Sequence, residues 1–387
     1  MTGVLDGVRV LELGQVLAGP FAGAILADLG AEVVKVERVQ GGDDARQMGP
    51  AFRHGDALNF QVFNRGKQSV ALDLKSPEGL AAFERLAGEA DLFIHNLRPG
   101  VPAKLGIDGP ALCARHPRLI YCEISAFGHV GPMALRPGYE PLVQAFSGLS
   151  STNGGPGDPP MRSAASMCDQ GSGMWVVIGA LALLHRRAQT GRGGILNTSL
   201  LETALVWNGQ KADAFVNEGR LPQRDRSGHP GFVPYEAFDT QDAPLLICCG
   251  NDRLFAKLAA ELGRPDWLAD ERFATNRARL AHKAALLEQL MPLLRARPRA
   301  EWIERFDAAG VPCAPIHSVP EALAHPQVQA LGMLAPVPGE DFSLTALPLS
   351  IDGQRPLPRA GAPRLGAGNA AHGLPMPPHS PKPKETP

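Results

Sequence analysis

Asp169 has the most suggestive surroundings of any acidic side chain in this sequence. It follows Met167 and Cys168 and precedes Gln170-Gly-Ser-Gly173, just before the apolar run Met174 to Leu184. An aspartate at a helix start accepts backbone N–H groups that lack an intrahelical partner, and it sits at the positive end of the helix dipole. Those conditions hold a carboxylate ionised, the state a nucleophile needs, and Gly171 and Gly173 permit close backbone approach. The same residue in the same place is also a common helix cap without chemistry, and spacing alone leaves both readings open. A second group is cationic. Arg38 ends the stretch Val33 to Glu37, and Asn96 and Arg98 follow the run 91–95, so each stands where a strand hands over to a loop. Arginine forks suit phosphate oxygens there, although each alone also reads as a solvated surface charge. A third group is Arg224, Arg226 and His229, on a Gly/Pro-rich stretch suited to a carboxylate or to plain solvation.

The elements that must position these groups are legible. Val8, Val10 and Leu13 alternate, Pro20 falls in a first helical turn, Gly30 stops the helix, and Val33 to Val36 follows at once. That is a strand, helix, strand unit with parallel strands. Strands are expected at 8–13, 33–37, 69–74, 91–95, 118–125 and 194–199, with helices at 20–29, 77–88, 108–115, 140–148 and 169–189. The fold class is α/β: a large Rossmann-like doubly wound domain, whose sheet would bind ligands at the carboxyl ends of its strands. Gly14, Gly19 and Gly23 are spaced G-x4-G-x3-G, which is not the dinucleotide fingerprint G-x-G-x-x-G. Residues 1–218 are expected to form the first part of the large domain and 219–234 a connector. A smaller α+β domain follows at 235–325, with strands at 235–239 and 244–249 and helices at 252–262, 282–296 and 299–309.

Composition narrows the partners. The 387 residues carry 38 Lys and Arg against 39 Asp and Glu, without a basic block or a basic–aromatic stripe, so nucleic acid is not an expected partner. The apolar run Met174 to Leu184 is too short to span a bilayer, and the amino terminus leads straight into a strand, so no membrane partner is expected. The six cysteines include no C-x-x-C pair and no partnered His spacing. Reduced thiols of a cytoplasmic protein are expected, with no bound metal.

Several blocks, in order, resemble the class III CoA-transferases, the family of formyl-CoA transferase and carnitine CoA-transferase that also contains α-methylacyl-CoA racemase. They are the opening Val8 to Pro20, Gly42-Asp43-Asp44-Ala-Arg46, Asn64 to Lys75, Asn96-Leu-Arg-Pro-Gly100, Arg136-Pro-Gly-Tyr-Glu140, the region of Asp169 and Thr190-Gly-Arg-Gly-Gly194. The resemblance runs to about residue 350. It implies that 326–373 return to the large domain, before a tail, 374–387, whose Pro-rich composition reads as disordered. It also implies an interlocked homodimer, with acyl-CoA and carboxylic acid as substrates and no tightly bound cofactor.

On this resemblance Asp169 is the catalytic nucleophile. CoA would be held by Val16 and Ala18 in the first loop and by Arg38 after the second strand. Leu72, Asp73 and Lys75 would take it after the third, and Asn96, Arg98 and Lys104 after the fourth. Tyr139 and Glu140 complete the implied set. Racemases of the family carry histidine where Tyr139 stands, and tyrosine is poorly matched to abstract an α-proton near neutral pH, so transfer is favoured over racemisation. The acid substrate would meet Gln15, the loop Cys249-Gly250-Asn251 and Arg226. Formyl- and oxalate-handling members carry glutamine at the position of Leu17 and a glycine-rich loop where this chain has Cys248-Cys-Gly-Asn-Asp252. The run His229 to Phe238 is closer to succinate–hydroxymethylglutarate CoA-transferase. Succinyl-CoA as donor and a dicarboxylic acceptor are therefore expected.

Overall fold

A computed structural model of the chain describes residues 3–377. Its large unit is built on six parallel strands: β1 (Arg9–Leu13), β2 (Glu32–Glu37), β3 (Gln68–Ala71), β4 (Leu92–His95), β5 (Ile120–Ser125) and β6 (Gly194–Ser199). Their spatial order is β3-β2-β1-β4-β5-β6, the arrangement of doubly wound nucleotide-binding sheets, and the winding reverses between β1 and β4. Both faces are covered, which is why the strands read as nearly unbroken apolar runs. Val10, Ile94 and Cys122 pack toward α1 (Ala18–Asp28). Leu11, Phe93 and Tyr121, one residue out of phase, pack with Phe83 and Leu86 of α2 (Pro77–Glu89). Ser76 caps α2 through the Gly79 amide, as Ser followed by Pro foretells.

Three further helices of this unit matter for the site: α3 (Glu140–Phe146), α4 (Met167–Thr190) and α5 (Leu200–Trp207). The 24-residue α4 is long and apolar enough to cross a membrane by length and composition. However, Cys168, Gly171, Ser172, Val176, Val177 and Ala180 are buried within the large unit. It begins at Met167, two residues before its expected start, with Ser166 at the cap position. The expected doubly wound α/β domain is thus present, with shifts of a residue or two at most ends. The third strand stops at Ala71, so Leu72 to Lys75 form the loop after it.

The second unit holds an antiparallel sheet of β7 (Tyr235–Asp239), β8 (Pro244–Cys248) and β9 (Cys313–Pro315), in the order β9-β8-β7. With it go α6 (Asp252–Glu261), α7 (Lys283–Arg295) and α8 (Arg299–Ala309), around a core that includes Phe255, Trp267, Leu290, Trp302 and Phe306. The division of the chain differs from the expected one. The large unit runs to Leu149, takes up Arg162–Asp213 and resumes at Gln329, while Ser150–Met161 and Ala214–Val328 form the second unit. Arg226 N–H donating to Gly154 C=O (2.9 Å) and Arg224 bonded to Asp158 C=O tie the connector to Ser150–Met161. Those contacts are long-range, so composition could not reveal them. The return segment reaches the sheet at Asn369, whose side chain accepts from Ala71 N–H (2.8 Å) and donates to Ala71 C=O (3.2 Å). The expected tail begins too early: Leu374 donates its amide to Asn369 C=O and packs on the sheet core. From 378 on, that tail lies outside the described residues.

Candidate active site

The carboxyl ends of β1, β2, β3 and β4 are adjacent and all point the same way, so the loops after them share one edge. Gln15 to Leu17 follow β1, Arg38 follows β2, Leu72 to Lys75 follow β3, and Asn96 to Arg98 follow β4. In such sheets ligands bind at this edge, beside the point where the winding reverses. The cations there are exposed. Arg38 donates Nε and Nη2 to Gly42 C=O (3.0 and 2.9 Å) and pairs with Asp44. Lys75, Arg98 and Lys104 are exposed as well, Lys104 in the last turn of the short helix Val101–Leu105. Asp73 accepts the Lys75 amide at 3.0 Å and so shapes its own turn.

Two residues expected to hold a ligand have other work for their side chains. Leu72 is buried in the sheet core, leaving only its backbone for a ligand. Asn96 is bound to the first loop: its Oδ1 accepts from Gln15 N–H (2.7 Å) and its Nδ2 donates to Gln15 C=O (2.8 Å). Beside it Val16 has φ of +64°, rare for a β-branched residue, and donates its amide to the buried Asp43 carboxylate at 3.0 Å. Beneath lies a buried ionic cluster that sequence reading missed. Lys35 Nζ reaches Glu12 (3.0 Å), Asp43 (2.9 Å) and Gly14 C=O (2.7 Å), and Lys67 Nζ reaches Glu12 (2.6 Å), Pro20 C=O (2.8 Å) and Asn64 (3.0 Å). The signal was available. A charge at Lys35 within Val33 to Val36, and one at Glu12 in phase with Val8 and Val10, must be paired if both faces of the sheet are covered.

Asp169 lies in the first turn of α4, and its environment overturns the expectation of an ionised cap. No side chain caps α4. Burial, and next the neighbouring Glu140, push the Asp169 carboxyl up to about 7. Glu140 itself is buried, accepting from Gln144 Nε2 at 2.6 Å and from the Cys168 amide at 3.4 Å, while its Oε2 has no partner among the described residues. Its side chain is thus enclosed and engaged within the protein, which corrects the expectation that it holds CoA. Tyr139, one residue earlier, is exposed. The close approach permitted by the two glycines is between helices. A Cβ on Gly171 would stand 2.6 Å from Thr203 of α5, and one on Gly173 would stand 2.8 Å from Ala18 C=O. Buried Ala18 thus packs on α4 one turn from Asp169, and this contact brings the first loop and the aspartate together.

The remaining expected residues belong to the second unit. Cys249 is fully buried and its thiol is pushed up to about 12 by burial, so its side chain is core and not a substrate contact. Gly250 has open space around it, and Asn251 caps α6 by accepting the Leu254 amide at 2.9 Å. Arg226 is exposed, with its stem against Gly155.

A doubly wound sheet with exposed cations along its carboxyl edge is a framework on which many proteins bind nucleotide-like anions. The family model of CoA-transferase family III matches residues 5–369, and the chain belongs to that family. The acetyl-CoA:oxalate CoA-transferase of Acetobacter aceti is 38% identical over 371 residues, covering 95% of each chain. The succinate–glutarate CoA-transferase of Agrobacterium fabrum is also 38% identical, over 87% of this chain and 86% of its own. Among solved structures, a CAIB/BAIF family protein from Brucella suis superposes with a TM-score of 0.87 at 35% identity, covering 96% of this chain and 98% of that one. The expected family and enzyme class are both borne out.

Proposed function

We propose that this enzyme exchanges CoA between an acyl-CoA and a dicarboxylic acid through covalent intermediates on Asp169. The observation that carries the reading is the packing of α4 on α1 through Gly173, which sets a half-buried carboxyl beside the loop that opens the CoA-binding edge. Ionised Asp169 attacks the thioester carbonyl, forming an acyl-aspartyl anhydride and expelling CoA thiolate. The thiolate attacks the aspartyl carbonyl, giving an aspartyl-CoA thioester and the free donor acid. The acceptor carboxylate displaces CoA, and the thiolate then takes the acyl group of the second anhydride, restoring Asp169. Anhydrides hydrolyse readily, so a desolvated carboxyl suits the task. Incubation with acyl-CoA and hydroxylamine should convert Asp169 to a hydroxamate. Peptide mapping that finds turnover but no modification at Asp169 would sink the covalent route.

The raised affinity of Asp169 for its proton makes the rate depend on pH. Because the anion attacks, kcat/KM, which follows the ligand-free enzyme, should rise through an acid limb centred near pH 7. Glu140→Gln removes the neighbouring charge and should move that limb down, though not to the ordinary aspartate range, since burial remains. An unmoved limb would show that Glu140 does not set it.

Leu17, half-buried at the start of α1, supports the acceptor assignment, because it presents an apolar wall where glutamine would bond a very small acid. The relative named for succinate and glutarate supports an acceptor of this length, whereas the one named for oxalate makes oxalate the rival acceptor to test. We assign C4–C6 dicarboxylates as acceptors, with succinyl-CoA as donor. They should exceed formate and oxalate by about tenfold or more in kcat/KM, one decade being about 1.4 kcal/mol, and Leu17→Gln should narrow the gap. Arg226→Ala should penalise dicarboxylates more than monocarboxylates of equal length. A competition assay won by oxalate or formate would overturn the acceptor while leaving the transfer reaction standing.

A homodimer belongs to the same proposal. On the large unit Leu142, Phe146, Met174, Ile178, Val206 and Trp207 are all exposed, apolar side chains that a second copy could cover. Sedimentation should return twice the chain mass, and a monomer at micromolar concentration would refute it.

A further inference from the structure

We propose that Asn96 and Asp43 are positioning residues that hold the loop Gln15 to Leu17 in a disfavoured backbone form against Asp169. The inference rests on the reading of Asp169 as nucleophile, and it adds a role for two side chains that do not touch the reacting atoms.

Four of the loop's six polar backbone atoms are held, as is the carbonyl just before it. Lys35 donates to Gly14 C=O at 2.7 Å, Asn96 takes both backbone groups of Gln15, Asp43 Oδ1 takes the Val16 amide, and Phe21 N–H donates to Leu17 C=O at 2.7 Å. Within that frame Val16 sits at φ of +64°, a form that glycine adopts freely and a β-branched side chain resists. Strain of this kind persists only where the surroundings over-determine it, and it clusters where a site must be held ready. The surroundings here are built for it. Asp43 is buried, its Oδ1 also accepts the Ala45 amide at 2.9 Å, and its other oxygen is paired with Lys35. Asn96 spans 81 residues of sequence to reach Gln15 with both ends of its amide, a fork that leaves the loop no freedom to slide.

The consequence is chemical. Ala18, next after this loop, packs its carbonyl on Gly173, one turn along α4 from Asp169. If Val16 relaxed to negative φ, the loop would change course immediately before that contact. Misplacing a positioning element by about 1 Å costs on the order of a hundredfold in rate without touching the reacting groups. The side chains of Asn96 and Asp43 then act on kcat more than on KM, because they set the loop and not the CoA phosphates.

The test compares Asn96→Ala with the double variant Asn96→Ala/Val16→Gly, reading steady-state kinetics and amide hydrogen exchange of the segment 14–21. Asn96→Ala should lower kcat by about ten- to a hundredfold, change KM for acyl-CoA by less than about threefold, and speed exchange in the loop. Glycine at 16 removes the resistance to positive φ, so the double variant should recover at least about half of the lost kcat on a logarithmic scale. For Asp43, the variant Asp43→Asn keeps an acceptor for the Val16 amide and should outperform Asp43→Ala. Should Asp43→Ala fail to fold, the Asn96 pair still decides. Unchanged kcat in Asn96→Ala, a loss confined to KM, or a double variant no faster than the single one would each overturn the positioning role. If the wild-type enzyme transfers no CoA at all, the proposed function falls instead. Exchange in the loop then decides the clamp by itself: faster in Asn96→Ala supports it, unchanged refutes it.

Discussion

Replacing Asp169 with asparagine should lower kcat for CoA transfer by at least about ten-thousand-fold, because the loss of a nucleophile cannot be offset by binding alone. The same change should leave the protein folded and, at pH 8, harder to unfold. The carboxyl binds its proton up to about pH 7 in the folded chain, against 3.8 for an unperturbed aspartate. Between those values the folded state holds a proton that the unfolded state has released, so this group's contribution to stability falls as pH rises from about 4 to about 7. Above that window the penalty is complete, and below about pH 4 it vanishes. Asparagine carries no such penalty and has no cap to lose, since Asp169 does not cap α4. The gain in Tm of Asp169→Asn over wild type should therefore grow between pH 4 and 7 and then level off. Circular dichroism melts at four pH values, with a coupled assay for transfer, check both halves. A variant with measurable turnover near the wild-type rate would remove Asp169 from the chemistry. A pH-independent difference in Tm would mean that its proton affinity is ordinary.

The fold was largely legible because its signals are local. Alternating apolar residues, Pro20 and Pro77 in first turns, and Gly30 after a helix each act within a few residues of themselves, and the strands they imply appear within one or two positions, except that the third ends three residues early. The candidate site was legible as a set of strand ends, since a parallel sheet places its loops on one edge whatever their sequence. Its internal wiring was not. Asn96 reads as a free polar residue at a cleft mouth until Gln15, 81 positions earlier, is seen between its two amide atoms. Glu140 reads as a ligand contact from its motif, yet it is buried, and burial of Asp169 together with this neighbouring charge reverses the electrostatics expected there. A helix dipole favours an anion by at most a couple of kcal/mol, and desolvation with a like charge nearby outweighs it. The three glycines at 14, 19 and 23 do not have the dinucleotide spacing, and their spacing alone gives them no role. They admit close packing: Gly14 and Gly19 against each other, and Gly23 against the Glu12 carboxylate, where a Cβ would fall 2.0 Å from Oε2.

That Glu12 carboxylate carries the second large expected effect. It is fully buried with two ammonium groups, Lys35 and Lys67, and Asp43 supplies the second negative charge, so the cluster is neutral as a whole. Removing one partner of a buried ion cluster leaves an uncompensated charge in the interior and costs about 3–5 kcal/mol, a large share of the roughly 5–15 kcal/mol that holds a typical domain folded. Glu12→Gln should therefore lower the urea midpoint substantially, because two lysines then face one carboxylate. Lys67 is the weak member. Burial already pulls its ammonium down to about 8, and the Glu12 charge does most to oppose that pull. Glu12→Gln/Lys67→Met removes one charge of each sign and leaves Lys35 paired with Asp43, so the double variant should recover at least half of the lost stability. Equilibrium unfolding of the wild type, Glu12→Gln, Lys67→Met and the double variant gives the coupling directly. A double variant no more stable than Glu12→Gln would mean that volume and hydrogen bonding govern this site, with charge balance secondary. The kinetic corollary separates fold from function. Lys35 holds Gly14 C=O and Asp43 beneath the first loop, and the double variant spares both contacts, so it should keep a kcat closer to wild type than Asn96→Ala does.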